Sequence, residues 1–328
     1  MVPIEDAELF AFNQDRLNEI LFPVELRPVH VSIPEKKSGE LFGTDVLRPA
    51  ERFHAVVDME RGHTFAVVSD DYDFVHNEEA IELAGECFKT VFKITDIGRM
   101  RLFNIIMPAT RSFCNVDFIH HKATFDFAAN DPWSPFLRVT NSYNKTKALK
   151  FDLGFCRGIC RNGLIFGKKN IEFKFTHSKS AGRDPQAEFR LRSGEFADLE
   201  AQFVEQLHNL QRFYVPREFM WAMLCKVFSM KIPPPDASTR QQKNWHARQD
   251  TVKVLTGKYF PSLGENGYAA LNVLTDFATH PPKEGFGESR IHGLQTYTGL
   301  WAKEFVEQMK SDTFAFETYL GDYLQLAA

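Results

Sequence analysis

Cysteine is scarce in this 328-residue sequence. There are five, Cys87, Cys114, Cys156, Cys160 and Cys225. An odd, scattered set does not make a disulfide framework. Long apolar runs are missing too. The longest, 219–230, is interrupted by Lys226 and is too short to cross a bilayer. Met1-Val2-Pro3-Ile4-Glu5-Asp6 has no basic segment ahead of an apolar run, so no secretion signal is expected. Gly-x-Ser-x-Gly, Gly-x4-Gly-Lys-Ser/Thr and Gly-x-Gly-x-x-Gly are all absent, so these nucleophile, phosphate and dinucleotide signatures are not available. An excess of positive charge is also lacking: 39 Lys and Arg against 43 Asp and Glu give −4. That excludes a globally basic nucleic-acid binder but not a local basic patch. The expectation is a reduced, cytoplasmic chain with no membrane segment and no cofactor.

What is present is ordinary for a folded protein, apart from phenylalanine. Hydrophobic residues make up 44% and charged residues 25%, which excludes disorder of the whole chain. Phe occurs 32 times, spread over the whole length, and reads first as core filling.

Periodicity divides the chain. The first twenty residues carry a helical stripe, and Val29-His30-Val31-Ser32-Ile33 alternates like a strand. Residues 35–50 are polar with Gly and Pro and read as loop. Asn77-Glu78-Glu79 opens a helix, with Asn77 as its cap. Strands are expected at 99–107, 112–127, 135–142, 147–160, 163–167 and 170–177, with Asn162-Gly163 as a hairpin turn. From about residue 195 the period becomes helical: 195–212, 216–231, 239–257, 266–279 and 288–323, the last divided near Ser311-Asp312. Strands first and helices later predict an α+β fold, a central and mainly antiparallel sheet followed by a C-terminal helical half. The regions drawn from this are an N-terminal helix and arm (1–50), a β core (51–190) and a helical region (191–328).

Charge is uneven. Residues 138–183 hold eleven Lys and Arg but only Asp152 and Glu172, a net +9, which leaves −13 for the other residues. Lys145, Lys147, Lys150, Arg157, Arg161, Lys168 and Lys169 cluster on two predicted hairpins, with Phe151, Phe155 and Phe166 between them. Cations that track phosphates beside aromatics that stack on bases are the makings of a single-strand surface. This gives the leading expectation: non-enzymatic handling of single-stranded DNA through a basic sheet face.

Three stretches resemble an uncharacterised phage- and plasmid-borne family, domain of unknown function 932. They are Phe65–Tyr72 followed by Val75–Ala80; Asn141-Ser142-Tyr143 followed by Cys156-Arg157-Gly158-Ile159-Cys160-Arg161-Asn162-Gly163-Leu164; and Tyr268–His280, with Asn272 and Thr275. Tyr143-Asn144-Lys145 stands where the family more often has His-Asp-Gly, and Asp276 where it has Glu. The resemblance covers about 55–280. It implies origin on a mobile element and carries no established activity.

The residues carry the elements of other chemistries. Cys156 and Cys160, four apart on a strand, lie about 13 Å apart, too far for one zinc ion, so no metal is expected. Asp152 with Glu172-Phe173-Lys174 fits a metal-dependent nuclease pattern, a third reading. The second reading is a viral anti-defence protein that binds and blocks a host defence complex, needing surface and no catalytic residues. A homo-oligomer would give it multivalency, with Leu300, Trp301, Phe305, Phe314, Phe316, Tyr319, Leu320 and Tyr323 as the expected interface.

Overall fold

Alternation with a period of two in the first half of the chain becomes two antiparallel sheets. The computed structural model describes residues 17–35, 44–93, 100–120, 125–128, 131–157, 162–165, 172–179, 182, 184–282 and 290–327. The smaller sheet has the order β1-β2-β3, with β1 Val24–Glu35, β2 Thr44–Asp58 and β3 His63–Ser69. The larger has seven strands: β4 Met100–Ile106, β5 Phe113–His120, β6 Phe125–Ala128, β7 Asp131–Ser142, β8 Leu149–Arg157, β9 Asn162–Ile165 and β10 Glu172–Phe175. Its order is β10-β8-β7-β5-β4, with β6 paired to β7 and β9 to β8. The helices are α1 Asn77–Val91, α2 Pro185–Arg192, α3 Glu195–Arg212, α4 Met220–Val227, α5 Thr239–Leu263, α6 Gly267–Thr279, α7 Ile291–Met309 and α8 Phe316–Leu320. The fold is α+β.

Local chemistry sets the element ends. The β7–β8 turn closes because Asn144 Oδ1 accepts from both the backbone N and Oγ1 of Thr146, while Lys145 takes φ +65°. Ser238 and Gln241 cap α5 reciprocally, and Asn266 caps α6 by accepting from Ala269 N. Helix α6 is buried on almost every side, as its run of apolar residues requires. Gly267 lets it approach α3: a Cβ there would stand 2.9 Å from the Leu210 carbonyl oxygen. One face of the large sheet joins this helical core. Phe155 stacks on Phe203 of α3 with ring centres 4.7 Å apart, and Trp133 meets the same ring edge-on. Phe88 of α1 and Leu271 of α6 belong to the same cluster.

Several expectations need correction. Residues 44–50 are strand and not loop, so the boundary drawn at 50/51 cuts through β2. Pairing with β1 makes them strand despite Pro49, which a ribbon with an unpaired edge tolerates. Asn77 is the first residue of α1, and His76 holds the cap position; the Asn77 side chain is used in the core. Asn162-Gly163 is not the hairpin turn. Both residues lie in β9, opposite Arg157 and Cys156. Most of the expected oligomer surface, Leu300 apart, is also core. Trp301, Phe305 and Leu320 are buried, and Phe314, Phe316, Tyr319 and Tyr323 pack against the helical cluster.

Candidate functional site

Register places a charged row across five strands: Asn104, Asp117, Arg138, Asp152 and Glu172 are successive cross-strand neighbours. Because side chains alternate along a strand, all five share the face opposite the helical core. Arg138 is 0% exposed. Its Nε and Nη2 donate to the two oxygens of Asp117, each at 2.6 Å, a bidentate pair. Lys150 Nζ sits 3.3 Å from Asp152 Oδ1 and 3.1 Å from Glu172 Oε2. From the first turn of α7, His292 brings Nδ1 to 4.0 Å from Asp152 Oδ2. Asp152 Oδ2, His292 Nδ1 and Arg138 Nη1 are buried with no hydrogen-bond partner among the described residues.

Titration is displaced at three groups here. Burial raises the Asp152 carboxyl. Burial, with Arg138, Lys150 and Lys147 around it, lowers His292 to about 3. Burial and the neighbouring cations also lower Lys147. Grouped perturbations of this kind mark a candidate site. The centre could polarise or hold a small polar group between Asp152 and His292. Among the described residues no three His, Cys, Asp or Glu side chains converge to hold a metal ion.

A second polar centre lies on the opposite face, inside the helical core. Arg157 donates from Nε and Nη2 to Asp131 at 2.6 and 2.9 Å, and from Nη1 to Asn272 Oδ1 at 2.8 Å. Tyr268 donates its hydroxyl hydrogen to Asp131 Oδ2 and accepts from Trp133 Nε1 at 3.2 Å. Asn272 Nδ2 returns to the Tyr268 carbonyl. Burial beside the Asp131 carboxylate raises the Tyr268 phenol, despite Arg157 nearby. A third centre joins Asn141 to α1: its Nδ2 donates to Val75 O and Asn77 Oδ1, both at 2.9 Å. Asn77 donates to the Ile20 carbonyl, and its backbone N–H donates to Tyr143 Oη.

The residues singled out in the sequence are therefore dispersed. Arg157 leaves the nucleic-acid set, because Asp131 and Asn272 occupy its buried guanidinium. Lys150 is neutralised by Asp152 and Glu172. Lys147 lies 3.7 Å above the centre of the Phe113 ring. Lys145 alone of the described members is exposed, at the turn. Phe151 and Phe155 are wholly buried and cannot stack on bases. Cys160, Arg161, Phe166, Lys168 and Lys169 fall outside the described residues, as do the side chains of Asn162, Gly163 and Leu164. Ser142 bonds the Lys147 backbone across the turn, and Thr275 bonds the Asn272 carbonyl. The acid pair of the nuclease pattern does sit side by side, but the bridging cation is Lys150; Lys174 is opposite Lys150 instead.

Sequence reading missed His292 on α7 and, on the sheet, Asp117, Asp131 and Arg138; Tyr268 was legible only as the first residue of a family stretch. For the sheet residues the signal was charge at alternating positions in otherwise apolar strands. No curated protein and no solved structure matches the chain. The family model described as domain of unknown function (DUF932) matches residues 64–298. It spans the strand and helix segments that converge on Arg157 and Asn272. The chain belongs to that family.

Proposed function

We propose that the protein acts by occupancy: an accessory protein of a phage or plasmid that binds a host protein complex and turns over no substrate. The observation that carries this reading is an inversion of the usual surface. Among the described residues, the cations and aromatics that would grip a single strand are mostly consumed in the fold. Meanwhile β1–β3 leave large apolar side chains in water, among them Leu47 at 69%, Phe53 at 50% and Val67 at 48% exposure. Exposed apolar area of that kind is a mark of a binding surface. The test is capture from host lysate on the immobilised chain, with and without nuclease. A protein retained after nuclease treatment and lost with Leu47→Glu supports the reading. Retention of nucleic acid alone, weakening steeply with salt as released counterions require, overturns it in favour of the basic-surface reading.

One observation favours a second reading, a metal-dependent nuclease. Asp152 and Glu172 stand side by side with Lys150 within 3.3 Å of both, the residue types that hold Mg²⁺ and activate water. Plasmid cleavage that requires Mg²⁺ or Mn²⁺ and disappears with Asp152→Asn would establish it; intact plasmid with either ion removes it.

A further inference from the structure

The outer part of the small sheet is a two-stranded ribbon, residues 30–35 against 44–49. Among the described residues β3 pairs with 53–58 only, and no third strand supports the ribbon. From Glu25 to Pro34 every residue except Val29 is exposed. A bare two-stranded ribbon is marginal in water, so its order calls for a cover that is present whenever the chain is folded. A second copy of the chain meets that condition; a host protein does not.

Register defines what the cover meets. Glu35 opposes Thr44 at the tip, Ile33 opposes Val46 in the middle, and Val31 opposes Arg48 nearer the root. Val31, Ile33, Glu35, Val46 and Arg48 share one face. The face therefore has an acid at its tip, a base beside Val31 toward its root, and Ile33 with Val46 between; all three apolar side chains are exposed. Within one copy Glu35 and Arg48 pair with each other, and both stay largely in water. Turned end for end, the face complements itself: the tip acid of each copy meets the root base of the other, apolar middle on apolar middle. The edges suit strand addition less well, because Pro28, Pro34 and Pro49 donate no backbone hydrogen bond there.

We infer that two copies of this chain pack their β1–β2 ribbons face to face about a two-fold axis, Glu35 of each copy against Arg48 of the other. A two-fold interface of this kind is the commonest in soluble oligomers. The inference rests on reading the ribbon as an interaction surface. It leaves the opposite face, with Leu47 beside Ser32, free for another partner.

The test uses the full chain and measures mass by light scattering and sedimentation velocity. Wild type should run at twice the chain mass of 37.7 kDa. Ile33→Glu with Val46→Glu should halve the mass while the circular dichroism of the helical half is unchanged. Glu35→Arg alone and Arg48→Glu alone should each give monomers, because like charges then meet at both ends. Mixing those two variants should restore the dimer as a mixed pair, although the ion pair inside each copy stays broken. A wild-type monomer, single-charge variants that remain dimeric, or no association on mixing would each overturn the inference. Leu47→Glu should leave the mass unchanged, so loss of partner capture with an intact dimer separates failure of the occupancy reading from failure of this one.

Discussion

The two sheets invert each other. The seven-stranded sheet buries charge: Asp117, Arg138 and Asp152 lie in a row with almost no access to water. The three-stranded sheet exposes apolar groups, with Val31, Ile33, Val46, Leu47, Phe53 and Val67 in solvent. Both were built from alternating sequences, so alternation alone does not say which face is covered. In the large sheet the chain covers both faces, and the polar residues had to find partners there: Arg138 with Asp117, Arg157 with Asp131. In the small sheet the outer ribbon reaches past anything the described residues offer to pack on it. Buried charge is costly to leave unpaired, and exposed apolar surface costs little until a partner arrives. The large sheet is thus expected to be sensitive to single substitutions and the ribbon to be tolerant of them.

The largest effect should come from breaking the core ion pair. Asp131→Ala leaves Arg157 charged and buried, and should destabilise by about 3–5 kcal/mol in urea unfolding. Asp131→Leu together with Arg157→Met should recover most of that loss. A small effect of the single change would mean that the guanidinium reaches water and the centre is looser than the distances imply.

Next is the approach of α6 to α3. Gly267→Ala puts a methyl group 2.9 Å from the Leu210 carbonyl oxygen, so the helices must part. The expected cost is about 1–3 kcal/mol, as for overpacking elsewhere. Unchanged stability would show that this contact has slack.

A pH dependence should separate the two sheets further. His292 is neutral in the folded chain down to about 3, whereas in the unfolded chain it takes up a proton near 6.5. Between those values the unfolded state binds the extra proton, so this group's contribution is lost as pH falls from about 6.5 toward 3. Asp152, raised by burial, acts in the opposite sense and softens the decline. His292→Gln should flatten the acid limb of stability against pH; an unaltered limb would place the His292 ring in water.

The smallest effect belongs to the ribbon. Leu47→Ser should shift unfolding by no more than about 0.5 kcal/mol, as at other exposed sites. A cost several times larger would mean that Leu47 is covered in solution, and the contrast between the sheets would narrow.

Period-two alternation was enough to predict strands 99–107, 135–142 and 170–177, which appear as β4, β7 and β10, and period 3.6 predicted 195–212 and 266–279 to within a residue. Those signals are local: side-chain direction repeats every two residues in a strand and every three to four in a helix. The Asn162-Gly163 turn failed because a dipeptide's preference for a turn is weaker than the pairing that draws both residues into β9. The family motifs were legible as residues but not as an assembly. Arg157 and Asn272 are 115 positions apart, and Asn77 and Asn141 are 64 apart, so nothing in either stretch announces the other. Periodicity by itself established an α+β chain, and the charge count a basic central block and an acidic remainder. Only the tertiary structure decided that Arg157 and Lys150 neutralise neighbouring carboxylates while the ribbon's valines stay in water. Charge and hydrophobicity belong to residues, but burial belongs to pairs of surfaces brought together by folding.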